Sequence, residues 1–227
     1  MQFEVCDFFG AERFYRTEGR LEWLEIEDVI SRMDLQLQPS GQNGLQGQAI
    51  FDPKATNRIL TEEAAKYGWS KIPVPESLRA FGSDWDAGKN AVLAEWQFSN
   101  YPFLWNNIIR SQVVAGNGWE LQGLHSAPRA MIVVTKSGSL PASQSTLYFE
   151  QAKAQMESVF SALDLNLAIR LVGLTIPVGI ETIQASWNVY SGRTSRNVVS
   201  LETKHFHVTW RNRVRVGGAI ASITPVS

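Results

Sequence analysis

The chain has 227 residues, 44% of them hydrophobic and 19% charged, with eight tryptophans and 21 Lys/Arg against 22 Asp/Glu for a net charge of −1. That composition excludes disorder over most of the length and suits one large α/β domain with a small appendage as well as two equal ones. No apolar run reaches the roughly 20 residues of a membrane span, no secretory signal opens a chain with Glu4 and Asp7 near its start, and the lone Cys6 cannot form an internal disulfide, so a soluble protein of the reducing cytoplasm is expected.

In chain order, Glu22 to Asp34 reads as an amphipathic helix, because Trp23, Ile26, Val29, Ile30 and Met33 recur at three and four. Gln38 to Gln48, rich in Gln, Gly, Ser and Asn, reads as a surface loop. Asp52-Pro53 has the form of an N-cap followed by proline at the first helical position and opens a helix to about Tyr67. Lys71 to Pro75 is extended, since Pro73 and Pro75 bias their predecessors away from helix.

Ala91 to Phe98, after a Gly88-Lys89-Asn90 turn, is strand-like, as are Ala130 to Thr135 and Ile169 to Leu174. Between the last two, Ser145 to Leu163 has helical spacing, which gives the strand–helix–strand order of an α/β crossover. Beyond Pro177 the chain alternates β-branched and polar residues with turns at Ser191-Gly192 and Gly217-Gly218, read as a smaller β subdomain over about 177–227 after a core of about 20–176. Within it, Arg193 to Arg215 holds six Lys or Arg (Arg193, Arg196, Lys204, Arg211, Arg213, Arg215) against the single acid Glu202. This local excess suits either a solvated basic strand pair or an edge that faces phosphates.

The chemistry-bearing stretch is Gly82 to Asn107, GSDWDAGKNAVLAEWQFSNYPFLWNN. Glu95 and Gln97, two apart on a strand, share a face that Trp96 does not. If the turn folds its limbs back as a hairpin, Asp86 joins them, giving two acids and an amide on one open face. Hydrolysis of a phosphodiester uses a hard divalent cation held by oxygen ligands. Asp86 and Glu95 are candidate ligands, with the backbone carbonyl of Trp96 as a third. Gln97 does not titrate and is suited to positioning the attacking water. Taken alone, D-x(8)-E-x-Q is a weak pattern, and a solvated or turn-capping acid is the plainer interpretation of either carboxylate.

The surrounding sequence resembles the BglII family of restriction endonucleases. The resemblance is carried by IFDP at Ile50 to Pro53 with Thr56-Asn57, IPVP at Ile72 to Pro75, GSDWDAGK at Gly82 to Lys89, EWQFSNYPFLWNN at Glu95 to Asn107, PASQSTLYFEQ at Pro141 to Gln151 and RLVGL at Arg170 to Leu174. It implies a restriction-endonuclease-like α/β core with a central mixed sheet flanked by helices, of the PD-(D/E)-x-K kind with glutamine in the lysine place. It further implies Mg²⁺, double-stranded DNA with a short palindromic site built on GATC, a homodimer, and a cognate DNA methyltransferase acting separately on that site. Asp86 and Glu95 take the metal positions, Gln97 the amide position, and Asp84 a supporting one.

The same resemblance marks Ser99 and Asn100, in the loop after the catalytic strand, as base-reading candidates, and equally as simple loop-initiating residues. Gln144 stands where the family pattern has Asn, beside Ser145, and Ser145 or Thr146 would serve equally as a helix N-cap. Arg196 matches a family arginine, whereas Thr194 replaces the tyrosine expected two places earlier; both departures fall on the outer base pair. Lys71, next to IPVP, is a candidate for a phosphate oxygen or a plain surface lysine. His125, His205 and His207 form no metal-ligand spacing, and Trp23, Trp69 and Trp105 read as core. Two other readings remain open: a structure-specific repair or junction nuclease on the same core, and a non-catalytic DNA-binding module.

Overall fold

The computed structural model describes residues 1–99, 102–142, 146–192, 195–212 and 219–226. Two sheets share one interior. The larger has six strands in the order β1 (Gln2–Phe8), β8 (Ala168–Thr175), β7 (Ala130–Lys136), β6 (Val92–Trp96), β5 (Asp84–Lys89) and β4 (Ser70–Pro73). Pairing is parallel for β6–β7 and β7–β8 and antiparallel elsewhere, so the sheet is mixed. All seven residues of β7 are buried, as expected of a strand covered by helices on both faces.

The parallel pairs are linked by helices on one face: α4 (Pro102–Gly116) between β6 and β7, and α5 (Phe149–Phe160) between β7 and β8. Leu104, Ile108 and Val114 of α4 and Phe149, Ala152 and Met156 of α5 pack there with Leu93, Met131, Val133, Ile169 and Leu171 of the sheet. The opposite face, with Val92, Ala94, Trp96, Ile132, Val134 and Val172, receives α1 (Ala11–Arg16), α2 (Arg20–Arg32) and α3 (Pro53–Ala65). The α2 interior residues Ile26, Val29 and Ile30 follow the expected three-four spacing.

α3 begins as its sequence signals: the Asp52 carboxylate accepts from the backbone N–H of Lys54 and Ala55, with Pro53 at the first position. α5 does not. It starts at Phe149, with Gln151 Oε1 accepting from the Tyr148 N–H at 3.4 Å, so Thr146 is no N-cap; its hydroxyl accepts from Lys136 Nζ at 2.8 Å. The turn before β6 is Asn90-Ala91, with Asn90 at φ 51°, rather than Gly88-Lys89-Asn90, because Gly88 and Lys89 still pair with Leu93 and Val92.

The second sheet has the order β11 (Ala219–Pro225), β10 (Val198–Asn212), β9 (Thr182–Tyr190), β2 (Leu35–Pro39) and β3 (Ala49–Phe51). The C-terminal strands therefore do not make a sheet of their own: β9 runs parallel to β2, with Leu35, Gln36 and Leu37 opposite Ala185, Ser186 and Trp187. Phe206, Val208, Ala221 and Ile223 turn inward to the core shared with α2 and α3, while most of β10 faces outward.

Candidate active site

β5 and β6 form the expected hairpin, with Ala87, Gly88 and Lys89 opposite Ala94, Leu93 and Val92. On its other side β5 gains one residue against β4, since Ser70 pairs with Gly88 but Ile72 with Trp85. Such an irregularity re-aims a side chain, and the two β5 residues at this step are Asp86 and Ala87. The Asp86 carboxylate reaches across the hairpin, where Oδ2 accepts from the Trp96 N–H at 2.8 Å, and it is in hydrogen-bond contact with Glu95.

Asp86, Glu95 and Gln97 thus line one recess with Asp84, Asn57, Arg79, Ser99, Asn107 and Arg110. The Trp96 side chain turns away, its Nε1 donating to Thr61 Oγ1 on α3 at 3.1 Å. The Trp96 carbonyl accepts from the Phe98 N–H at 3.2 Å, a single contact for an oxygen that carries two lone pairs.

Burial governs the electrostatics. Glu95 is pushed up to about 8, first by desolvation and then by the neighbouring Asp86, against the pull of Arg110. Asp86 is raised by desolvation, offset by the Trp96 N–H. Two carboxylates in contact, Glu95 buried and Asp86 partly so, each penalised for its charge by desolvation, form a site whose ionised state is favoured by an added cation. The donors are hard oxygens: two carboxylates and the Trp96 carbonyl. Among the described residues no group of three or more His, Cys, Asp or Glu is placed to hold a metal ion, so water and substrate oxygens would complete any coordination, as Mg²⁺ prefers.

The Gln97 amide is oriented by its neighbours. Its Oε1 accepts from Asn107 Nδ2 at 3.0 Å, and its Nε2 donates to Ser99 Oγ at 2.8 Å. The Ser99 carbonyl in turn accepts from the Leu147 N–H at 3.0 Å. Ser99 and the Thr146–Leu147 end of the second expected reading loop therefore lie side by side; Asn100, Gln144 and Ser145 lie outside the described residues.

Other candidates sit farther out. Lys71 is exposed and pairs at 3.1 Å with Asp84, whose carboxyl is held below its ordinary value by the Ser83 hydroxyl and Lys71. Arg196 is exposed in the β9–β10 connection, whose neighbouring Ser195 carbonyl accepts from Lys54 Nζ at 2.6 Å. Thr194, Arg193, Arg213, Arg215 and the Gly217-Gly218 turn lie outside the described residues, and Lys204 pairs with Glu202 at 3.0 Å. Trp23 and Trp69 are buried as expected, while Trp105 is partly buried and donates to Gln155 Oε1 at 3.0 Å.

Sequence reasoning missed Arg110 and Asn107. Both lie on α4, which was not anticipated as a helix; their signal was polar residues recurring with Leu104, Ile108, Ser111 and Val114 on its buried face.

The family model for restriction endonuclease BglII/BglIII matches residues 3–174. The chain is 33% identical over 204 residues to the type II restriction enzyme BglII of Bacillus subtilis, covering 89% of each sequence. It is similar to the crystal structure of BglII complexed with a DNA 16-mer at a TM-score of 0.90, with 31% identity and full coverage of both chains. Against free BglII the TM-score is 0.71, with 29% identity over 97% of this chain and 100% of that one.

Proposed function

The chain belongs to the BglII/BglIII family of type II restriction endonucleases, and on that premise we propose that it hydrolyses DNA at the Asp86, Glu95, Gln97 recess with Mg²⁺ as cofactor. The observation that carries this reading is the buried hairpin contact between Asp86 and Glu95 beside an oriented amide. A divalent cation held by Asp86, Glu95 and the Trp96 carbonyl would supply charge neutralisation at phosphorus and a more acidic water. Gln97, its amide set by Asn107 and Ser99, orients the attacking water; an amide of unvarying charge does so at any pH. The Trp96 N–H keeps Asp86 turned into the recess.

The site read is a short palindrome with a GATC core, cut by a homodimer whose two-fold axis matches that of the DNA. Inner bases are read from Ser99 and Asn100, and the outer pair from Gln144, Ser145, Thr194 and Arg196. Lys71 and the basic β10 segment meet phosphates. A glutamine reaches about one methylene farther than asparagine, so Gln144 changes the outer contact, where each bidentate pair discriminates by roughly 1 to 3 kcal/mol. A separate methyltransferase would protect the same site, and the working compartment is the cytoplasm; no helix among the described residues is long and apolar enough to cross a membrane.

Digestion of linear duplexes of varied sequence, with Mg²⁺ and with chelator, tests the reading. Discrete fragments in Mg²⁺ alone support it. A smear, or cutting only at branched or damaged DNA, supports the structure-specific nuclease instead, and no cleavage under any divalent cation leaves a DNA-binding module.

A further inference from the structure

Arg110 has no part in the chemistry above, yet it is the hub of the recess. It is 2% exposed on the inner face of α4. Nη1 donates to the Phe81 carbonyl at 3.1 Å, Nη2 donates to the Asp84 carbonyl at 2.7 Å, and Nη2 also binds Glu95 Oε1. The guanidinium carbon lies 4.9 Å from the centre of the Trp85 ring. The segment it grips is shaped to admit it: Gly82 has φ +127°, and a Cβ there would stand 2.3 Å from Arg110 Nη1.

Burying a guanidinium is costly, and Arg110 Nε has no partner among the described residues. Packing alone would be served as well by an apolar side chain. What an arginine adds is a rigid fork of donors that ties three separated pieces of chain into one frame. Those pieces are α4, the Phe81–Asp84 segment leading directly into Asp86, and Glu95 on the facing strand.

We propose that Arg110 is a positioning residue for the cation site, gripping Glu95 and the approach to Asp86 so that the two acids stand at the separation a divalent cation requires. This rests on the metal-dependent reading above. A merely structural arginine would support folding and DNA binding alike. A positioning arginine acts on metal affinity ahead of either.

The test uses Mn²⁺, which hard-oxygen sites accept, titrated calorimetrically into the DNA-free protein. Cleavage as a function of Mn²⁺ is followed in parallel, with gel shifts in chelator on the duplex the wild type cuts. Arg110→Met is expected to weaken Mn²⁺ binding about 10- to 100-fold, the range for losing a residue that orients a metal ligand. The Mn²⁺ needed for half-maximal cleavage should rise in step, with gel-shift affinity within about threefold of wild type. Arg110→Lys should recover part of the loss. Gly82→Ala, which displaces Nη1 without changing charge, should weaken Mn²⁺ binding in the same direction and keeps the test open if Arg110→Met misfolds.

Wild-type Mn²⁺ affinity in Arg110→Met or Gly82→Ala overturns the proposal, as does a loss of gel-shift affinity parallel to the loss of metal affinity. A wild type that fails to cleave DNA with any divalent cation refutes the metal-dependent reading itself, a separate result from unchanged Mn²⁺ affinity in variants of an active enzyme.

Discussion

The β5–β6 hairpin corner and the basic residues of β10 set opposite demands. In the hairpin corner Asp86, Glu95, Gln97, Asn107 and Arg110 bond to one another or to backbone, nearly all removed from water. Along β10, Arg211 is exposed and Lys204 half-exposed, and Lys204 pairs directly with the exposed Glu202 at 3.0 Å. Chemistry demands groups fixed before substrate arrives, and their desolvation shows as raised carboxyl pKa values. A phosphate-facing strand needs charges that remain hydrated until counterions leave the DNA. The corner is therefore intolerant of single changes and the strand forgiving of them.

The sharpest way to break the comparison is to alter the corner alone. Asp86→Asn or Glu95→Ala should lower cleavage by about 10³-fold or more, since charge stabilisation of several kcal/mol is lost. Specific DNA binding should remain measurable by gel shift on the same preparation, because metal ligation and base reading are assigned to different residues. Full activity in either variant would contradict the assignment.

Next in size is pH. With Glu95 pushed up to about 8, its proton must leave before the carboxylate can hold a cation, so metal affinity should rise about tenfold per pH unit up to about 8 and then level off. The sign for stability is the reverse. A raised carboxyl favours the folded state while protonated, so its contribution is present below the ordinary carboxylate range and is lost as pH climbs to about 8. Mn²⁺ titrations at several pH values, with thermal unfolding of the metal-free protein, check both directions; metal affinity independent of pH would remove Glu95 from the ligand set.

A third change strikes the joint between the two regions. Asp52 caps α3 and accepts from the Tyr190 hydroxyl at 2.7 Å, joining the helix that supports Trp96 to the strand that leads into the Arg196 loop. Asp52→Ala should destabilise the fold by about 2 kcal/mol, read as a lower urea midpoint. An unshifted midpoint would show that the cap and the tyrosine contact contribute nothing.

The smallest effect belongs to the basic strand. If Arg211 meets one phosphate, Arg211→Gln should weaken DNA binding about equally on all sequences and flatten the log–log salt dependence by roughly 0.9. A changed base preference with an unchanged slope would make Arg211 a reader of bases.

What was legible in the sequence follows the range of the interactions. The Asp52-Pro53 cap, the hairpin around Asn90 and the β7–α5–β8 crossover are written in neighbouring residues, and the structure has all three. β1 was not legible, because its seven residues become a strand only by pairing with β8. The β2–β9 pairing joins segments about 150 residues apart, so alternation beyond Pro177 indicated strands without saying that β2 and β3 complete their sheet. At the site, the spacing of Glu95 and Gln97 placed them together and the hairpin brought Asp86. Arg110 stayed hidden because its partners, Phe81, Asp84 and Glu95, are contiguous only in three dimensions.

The central claim, that the hairpin corner cuts DNA at a defined palindrome, is tested most directly by sequencing the ends of plasmid DNA digested with Mg²⁺ by the wild type and by Asp86→Asn. The account predicts that wild-type ends fall at one palindromic site with a GATC core and that Asp86→Asn yields none. Ends scattered over unrelated sequences, or the same ends from Asp86→Asn, would contradict it.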